Sequence, residues 1–411
     1  MSAALLPTKS INAPADLAVL GAPPLFADKL HVGRPNVLGR ERFRRRVEEM
    51  FDSGWLSNNG PLVREFERRV ADYVGVRNCV AVCNATIGLE LLIRAAGLRG
   101  EVIVPSFTFI ATAHALTWHG VTPVFADIDP ATHCLDPESV ERLVTPDTSG
   151  VIGTHLWGRP CPVEALDDIA RRHDLVLMYD AAHAFGCTRG GRMVGGFGLA
   201  EVFSFHATKF LNSFEGGAIT TDDDELAARL RLMKNFGFAG YDKVVYLGTN
   251  GKMTEVCAAM GLTNLELIDE LVAINRANHA RYKAGLGGVA GLRLMEYDAR
   301  ERSNYQYVVV EVDEARAGLT RDELIEILHR ENVLARRYFW PGCHRMEAYR
   351  GDPRYAGLSL PATELVSSRV LVLPTGAAVG EAEIGLICDA LRVAVGGAGE
   401  VARALRGGAE G

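Results

Sequence analysis

Long apolar runs are missing from these 411 residues. None approaches the ~20 consecutive apolar side chains that cross a bilayer, which excludes a spanning helix. The opening stretch MSAALLPTKSINAPADLAVLG has no basic segment leading into a long apolar run, so no secretory leader is expected. The sequence also lacks a basic excess. Lys and Arg number 44 against 51 Asp and Glu, a net charge of -7, which gives no general attraction for nucleic acid. No C-x-x-C pair occurs among the eight scattered cysteines, so neither a metal knuckle nor a redox pair is indicated. A reduced, cytoplasmic protein is the natural expectation. Internal repeats are absent.

What is present is a steady alternation of short buried-type runs with amphipathic helices. Apolar runs fall at Cys79–Val82, Glu101–Val104, Pro123–Phe125, Gly150–Thr154, Leu175–Tyr179, Glu201–Ser204 and Gly217–Thr221. Between them the spacing predicts helices over 86–96, 111–119, 137–144, 163–172 and 223–236, after two earlier ones at 40–53 and 63–74. Strands apolar on both faces and joined by helical crossovers imply a mostly parallel sheet of seven strands in an α/β domain. Past Gly261 the pattern changes to one long helix over 262–286, a strand over 305–312, a helix over 321–331 and a last helix after Glu381. This predicts an N-terminal arm (1–35) lying on another part, a large α/β domain (36–265), a smaller C-terminal α+β domain (266–400) and a frayed tail (401–411). The basic run Arg40–Arg46 reads as the solvated face of a helix.

Chemistry in such a sheet belongs just beyond the carboxyl ends of its strands. Asp180 ends the run Leu-Val-Leu-Met-Tyr, where a carboxylate is costly unless a cation or a strong donor meets it; the bland alternative is a helix N-cap. Lys209 closes Ser204-Phe-His-Ala-Thr-Lys, ahead of Glu215-Gly-Gly-Ala-Ile-Thr-Thr, which returns the chain to a strand. A lysine is normally a surface cation, but in a cleft it titrates lower and can form an imine. Asn84-Ala-Thr86 sits between a strand and a helix, where backbone amides and the helix dipole attract an anion, although Asn and Thr are also common caps. Phe109 could stack on a flat ring or simply fill the core. His155 and Trp157 either line a pocket or pack. Tyr338, Trp340 and His344 lie in a Pro- and Gly-containing loop compatible with nucleotide or sugar contacts.

The ordered set of anion loop, aromatic, Asp and Ser-x-x-x-x-Lys resembles the DegT/DnrJ/EryC1/StrS sugar aminotransferases. The similarity runs from about Val32 to Ala390 and is carried by Leu56–Pro61, Asn84–Thr86, Pro105–Ala113, Thr154–Gly158, Asp180–Gly186, Ser204–Lys209, Glu215–Gly217 and Asn250–Gly261. The resemblance implies the fold-type I, aspartate aminotransferase-like architecture and pyridoxal 5'-phosphate as cofactor, with pyridoxamine phosphate as its intermediate form. It implies that Lys209 holds the cofactor as a Schiff base and shuttles a proton, that Asp180 pairs with the pyridine nitrogen, and that His183 donates to the phenolic oxygen, where many members carry Gln. By the same resemblance Phe109 stacks on the ring, while the amides of Ala85, Thr86 and Ile87 and the Ser204 hydroxyl bind the phosphate. Ala85 departs from the Gly common in that loop. Asn250 would reach the phosphate from the neighbouring subunit of a homodimer. The segments HLWGRP, FHATK, SFEGGAI and GTNGKM are most similar to members acting at C4 of a dTDP-linked 6-deoxyhexose, with L-glutamate as amino donor. That would make dTDP-4-amino-4,6-dideoxy-D-glucose from the 4-keto sugar, in antibiotic-sugar biosynthesis. The alternatives are amination at C3 and a silent cofactor-binding regulator. The dehydratase branch carries His where this chain has Lys209.

Overall fold

The computed structural model describes residues 7–407. The seven expected runs become β1 (Asn78–Val82), β2 (Glu101–Pro105), β3 (Thr122–Ala126), β4 (Thr148–Thr154), β5 (Val176–Asp180), β6 (Glu201–Ser204) and β7 (Gly217–Thr221). They form one sheet in the order β1-β7-β6-β5-β4-β2-β3. Neighbours from β6 through β5, β4 and β2 to β3 are parallel. Only β7 runs against the rest, antiparallel to both β6 and β1. The reason is the link over 205–216, which contains no helix and cannot carry the chain back for a parallel pairing.

Helices cover both faces, preceded in the chain by α1 (Arg40–Ser53). Leu89, Leu92 and Ile93 of α3 (Ala85–Ala95) and Leu116 of α4 (Ala111–Trp118) pack with Val82, Val104 and Ile219. On the opposite face Val63, Phe66 and Val70 of α2 (Pro61–Val74) meet Ala81, Phe203 and Ala218. The registers Thr154↔Asp180 and Asp180↔Val202 align the carboxyl ends of β4, β5 and β6, which places Asp180 at the middle of that edge.

A second, antiparallel sheet joins Leu292–Leu294, Val308–Val312 and Val370–Leu373, with Val308 opposite Leu373. The N-terminal arm lies on this C-terminal part. Leu17, Leu25, Phe26 and Leu30 are fully buried in its core, and Leu30–His31 pairs with Val333–Leu334. Buried Glu331 anchors the arm by accepting from the Ala18 amide at 2.6 Å and pairing with Lys9 at 3.0 Å.

Several sequence expectations need correction. The helix expected over 262–286 is two, Glu255–Leu265 and Ile268–Leu286, broken at Glu266, whose carboxylate takes Arg46 and, at 2.9 Å, Arg69. Arg46 is therefore not on a solvated face but buried, and also donates to Thr263 at 3.0 Å. The helix expected over 223–236 stops at Met233, because Gly237 adopts φ +80° and its amide turns back to Leu232 at 2.8 Å. The strand Val370–Leu373 was not expected. Nor is residue 401 part of a frayed tail: a helix spans Ala398–Gly407, and Val401 is fully buried beside the arm's Val19. The remainder of that expected tail, 408–411, lies outside the described residues, as does the arm's 1–6. Val401→Ala should cost about 1–3 kcal/mol in a denaturant titration, whereas a frayed end would show no change.

Candidate functional site

Asp180 ends β5 with its carboxylate out of water. Thr112 of α4 donates to Oδ2 at 2.8 Å, and the Ala182 amide donates to Oδ1 at 3.0 Å. Thr112 is itself in contact with Thr108 at 3.2 Å, and Thr108 with Thr154 at 3.3 Å, so a file of hydroxyls runs along the strand ends. Residues 181–187 form turns rather than a helix, so Asp180 is not a helix cap. Burial pushes its pKa above the usual carboxylate range, while the two hydrogen bonds and the charge of Lys209 pull it back.

Lys209 lies in the link between β6 and β7, in a turn closed by its amide to His206 at 2.8 Å. Burial lowers its pKa to about 8, against the opposing pull of Asp180. A lysine titrating there has an appreciable amine fraction near neutral pH. Its Nζ donates to the Tyr307 hydroxyl at 3.4 Å, and the next amide, Phe210, donates to Gln306 at 3.1 Å.

His183 is buried against Tyr307, ring centroids 4.6 Å apart, and stacks on Trp157 and Phe339. Desolvation, aided by the Lys209 charge, drives its pKa well below that of a free imidazole, so the ring is neutral. The Trp157 amide donates to His183 Nδ1 at 3.4 Å, which leaves the single ring proton on Nε2. Trp157 holds this position at φ +61°, an uncommon conformation for a bulky residue, with its indole donating to His133 at 3.2 Å.

At the other side of the β6–β7 pair, Asn84 caps α3 through the Ile87 amide at 2.9 Å. That amide is therefore engaged within the protein, whereas those of Ala85 and Thr86, in the first turn, have no carbonyl in their own helix. Gly217 lets the helix start approach: a Cβ there would lie 2.7 Å from the Ala85 nitrogen. Ser204 is paired with Gly217 across the sheet. Phe109 is not core, with 55% of its surface exposed. Asn250 is exposed as well, and its backbone pairs with Asn235. It follows a segment of exposed apolar side chains that includes Phe238, Tyr241, Val244 and Leu247.

The residues weighed as pocket lining divide differently. His155 is fully buried, with Nε2 3.1 Å from Glu201 and Nδ1 accepting from the Cys161 amide at 2.9 Å. It packs, as does the enclosed Trp157. His344 is locked between Ser106, 2.7 Å from Nδ1, and Glu364, 3.5 Å from Nε2. Tyr338 stands close enough to Lys209 to feel its charge, and Trp340 is covered in part by the Arg321 guanidinium at 5.5 Å. Sequence reasoning missed Thr112, Gln306 and Tyr307. Nothing in their spacing links them to the site, because they arrive from other elements. Among the described residues no three His, Cys, Asp or Glu side chains cluster as for a metal, and no helix is long and apolar enough to cross a membrane.

Comparison with known proteins shows the family. Residues 38–392 match the DegT/DnrJ/EryC1/StrS aminotransferase family. A dTDP-4-amino-4,6-dideoxy-D-glucose transaminase of Shigella dysenteriae is 35% identical over 363 residues, spanning 88% of this chain and 98% of the relative. GDP-perosamine synthase of Caulobacter vibrioides is 36% identical over 371 residues, 88% of this chain and 97% of that protein. A crystal structure of DesI in the presence of its TDP-sugar product superposes with a TM-score of 0.92 at 52% identity, covering 96% of this chain and all 100% of that one.

The Thr112 contact can be tested directly. Thr112→Val removes a donor to a buried carboxylate and keeps the side-chain shape. Asp180, followed by carboxyl-carbon NMR, should titrate at still higher pH than in the parent protein. An unmoved titration would show that the hydroxyl does not support the charge.

Proposed function

Because the chain belongs to the DegT/DnrJ/EryC1/StrS aminotransferase family, we propose that it transfers the amino group of L-glutamate to C4 of dTDP-4-keto-6-deoxy-D-glucose. The product is dTDP-4-amino-4,6-dideoxy-D-glucose, a building block of natural-product sugars. The observation that carries the reading is the meeting, at the carboxyl end of the central strands, of a buried carboxylate and a lysine of lowered pKa. The relatives named for this product, and the TDP-sugar product of DesI, support the substrate.

The residues present fit pyridoxal phosphate. Gly217 leaves room beside the first turn of α3, where the Ala85 and Thr86 amides and the Ser204 hydroxyl would hold a phosphate, aided by the helix dipole. Ile87 would contribute only indirectly, since its amide is held by Asn84. Phe109, exposed in the single chain, would cover one face of the ring. When bound, the cofactor supplies an electron sink and carries the amino group between the two substrates. Asp180 would keep a proton on the ring nitrogen. His183 would donate its Nε2 proton to the phenolic oxygen, in the tautomer that the Trp157 amide selects. Lys209 would hold the cofactor covalently at rest. Released as an amine, it would remove the Cα proton of glutamate and deliver a proton to C4 of the sugar. Asn250 would complete the phosphate site of a second copy of the chain, and the exposed apolar segment before it favours such a contact.

NMR of the product formed from the 4-keto sugar and glutamate should show the amine at C4 in the glucose configuration. Amination seen only after the keto group has been moved to C3 would place the enzyme in the C3-acting group. Borohydride should fix the cofactor to the Lys209 peptide, and Lys209→Ala should abolish turnover.

The shared site has its own test. Lys209→Ala and Asn250→Asp chains, each folded, dimeric and nearly inactive alone, are mixed and refolded together. Random pairing makes about half the dimers mixed and restores roughly a quarter of all sites if the two residues serve one site from different subunits. Were both residues to serve the same subunit's site, mixing would restore nothing.

A further inference from the structure

Tyr307 belongs to the C-terminal part, immediately before the strand Val308–Val312, yet its hydroxyl accepts from Lys209 Nζ at 3.4 Å. Among the described residues it is the only hydrogen-bond partner of that amine. The neighbouring Gln306 side chain receives the Phe210 amide at 3.1 Å. Two consecutive residues thus hold the backbone just after Lys209 and the far end of its side chain. Tyr307 has little freedom to leave. Its ring packs edge-on to Trp157 at 5.2 Å and against His183 at 4.6 Å, and its backbone carbonyl takes the Tyr297 hydroxyl at 2.9 Å. Burial raises the pKa of the phenol, so it stays neutral and keeps its own proton.

A lysine that carries a cofactor must be released in each cycle, and a four-carbon side chain set free explores many rotamers. We propose that Tyr307 is the docking point of the free Lys209 amine: its hydroxyl accepts a hydrogen bond from the amine, favours the protonated form and holds it beside the reacting carbon. The inference rests on the reading of Lys209 given above. A neutral oxygen acceptor in a dry site interacts more strongly with an ammonium than with an amine, so its loss must lower the lysine's pKa further. It must also slow proton delivery, because the donor is no longer held in place.

The test is competitive acetylation of the protein loaded with the amine form of the cofactor, with the Lys209 peptide followed by mass spectrometry across pH. In Tyr307→Phe, which removes one atom and keeps the ring, the labelling curve of Lys209 should move to lower pH by about half a unit to one unit. That corresponds to a roughly three- to ten-fold larger unprotonated fraction below the midpoint. Single-turnover amination should slow by about ten-fold or more at saturating sugar. Should the Phe variant fold poorly, 3-fluorotyrosine at position 307 weakens the same acceptor in the native ring and should shift the curve in the same direction by less. Borohydride trapping separates the two levels of the argument. An adduct on another lysine would defeat the reading of Lys209 itself, and a normal Lys209 adduct with superposed labelling curves would overturn the role of Tyr307 alone.

Discussion

A buried carboxylate at the end of a central strand and a partly covered ammonium group feel each other's charge, and much of the architecture follows from keeping both there. Desolvation pushes each toward its neutral form, Asp180 upward and Lys209 downward, and each opposes the shift in the other. Removing either leaves an uncompensated group in a low-dielectric site, which costs far more than losing a surface pair. The hydroxyl file Thr154–Thr108–Thr112 and the Ala182 amide serve this constraint by bonding the carboxylate. The link over 205–216 serves it as well, by dropping the lysine back over the strand ends and forcing β7 to run against the sheet.

The site is not the property of one domain. Asp180, His183 and Lys209 come from the seven-stranded part, but Gln306, Tyr307, Tyr338 and Phe339 come from the C-terminal part and close around them. His183 illustrates the dependence. Its neutral state comes from burial beneath Phe339 and Tyr307, and its tautomer from the strained backbone at Trp157. Any relative movement of the two parts would alter the water content around Lys209 and thereby its basicity.

The legible parts of the sequence were those governed by local rules. Seven apolar runs became the seven strands of the sheet, and Asp180 and Lys209 stood out because an ionisable residue at the end of a buried run contradicts its surroundings. Less legible was whatever depends on distant partners. Thr112 looks like an ordinary helix residue until Asp180 is placed 2.8 Å away. Tyr307 reads as a strand aromatic, and His155 reads equally as pocket lining or packing until Glu201 is found beside it at 3.1 Å. The break at Glu266 contains neither Gly nor Pro, and its three arginine partners, Arg42, Arg46 and Arg69, lie on earlier helices. Val401 sits in a glycine-rich stretch whose composition suggests fraying, but tertiary burial outweighs that local bias.

The N-terminal arm has a consequence for synthesis on the ribosome. The core of the C-terminal part gathers Ile11, Leu17, Leu25 and Phe26 from the first residues and Leu391, Val401 and Ala402 from the last. The strands of the large sheet, by contrast, are complete once residue 221 has emerged. The large sheet can therefore assemble while the arm waits with its apolar side chains unshielded, until Leu391, Val401 and Ala402 have been made. During that interval the arm exposes the apolar side chains that the C-terminal core later covers.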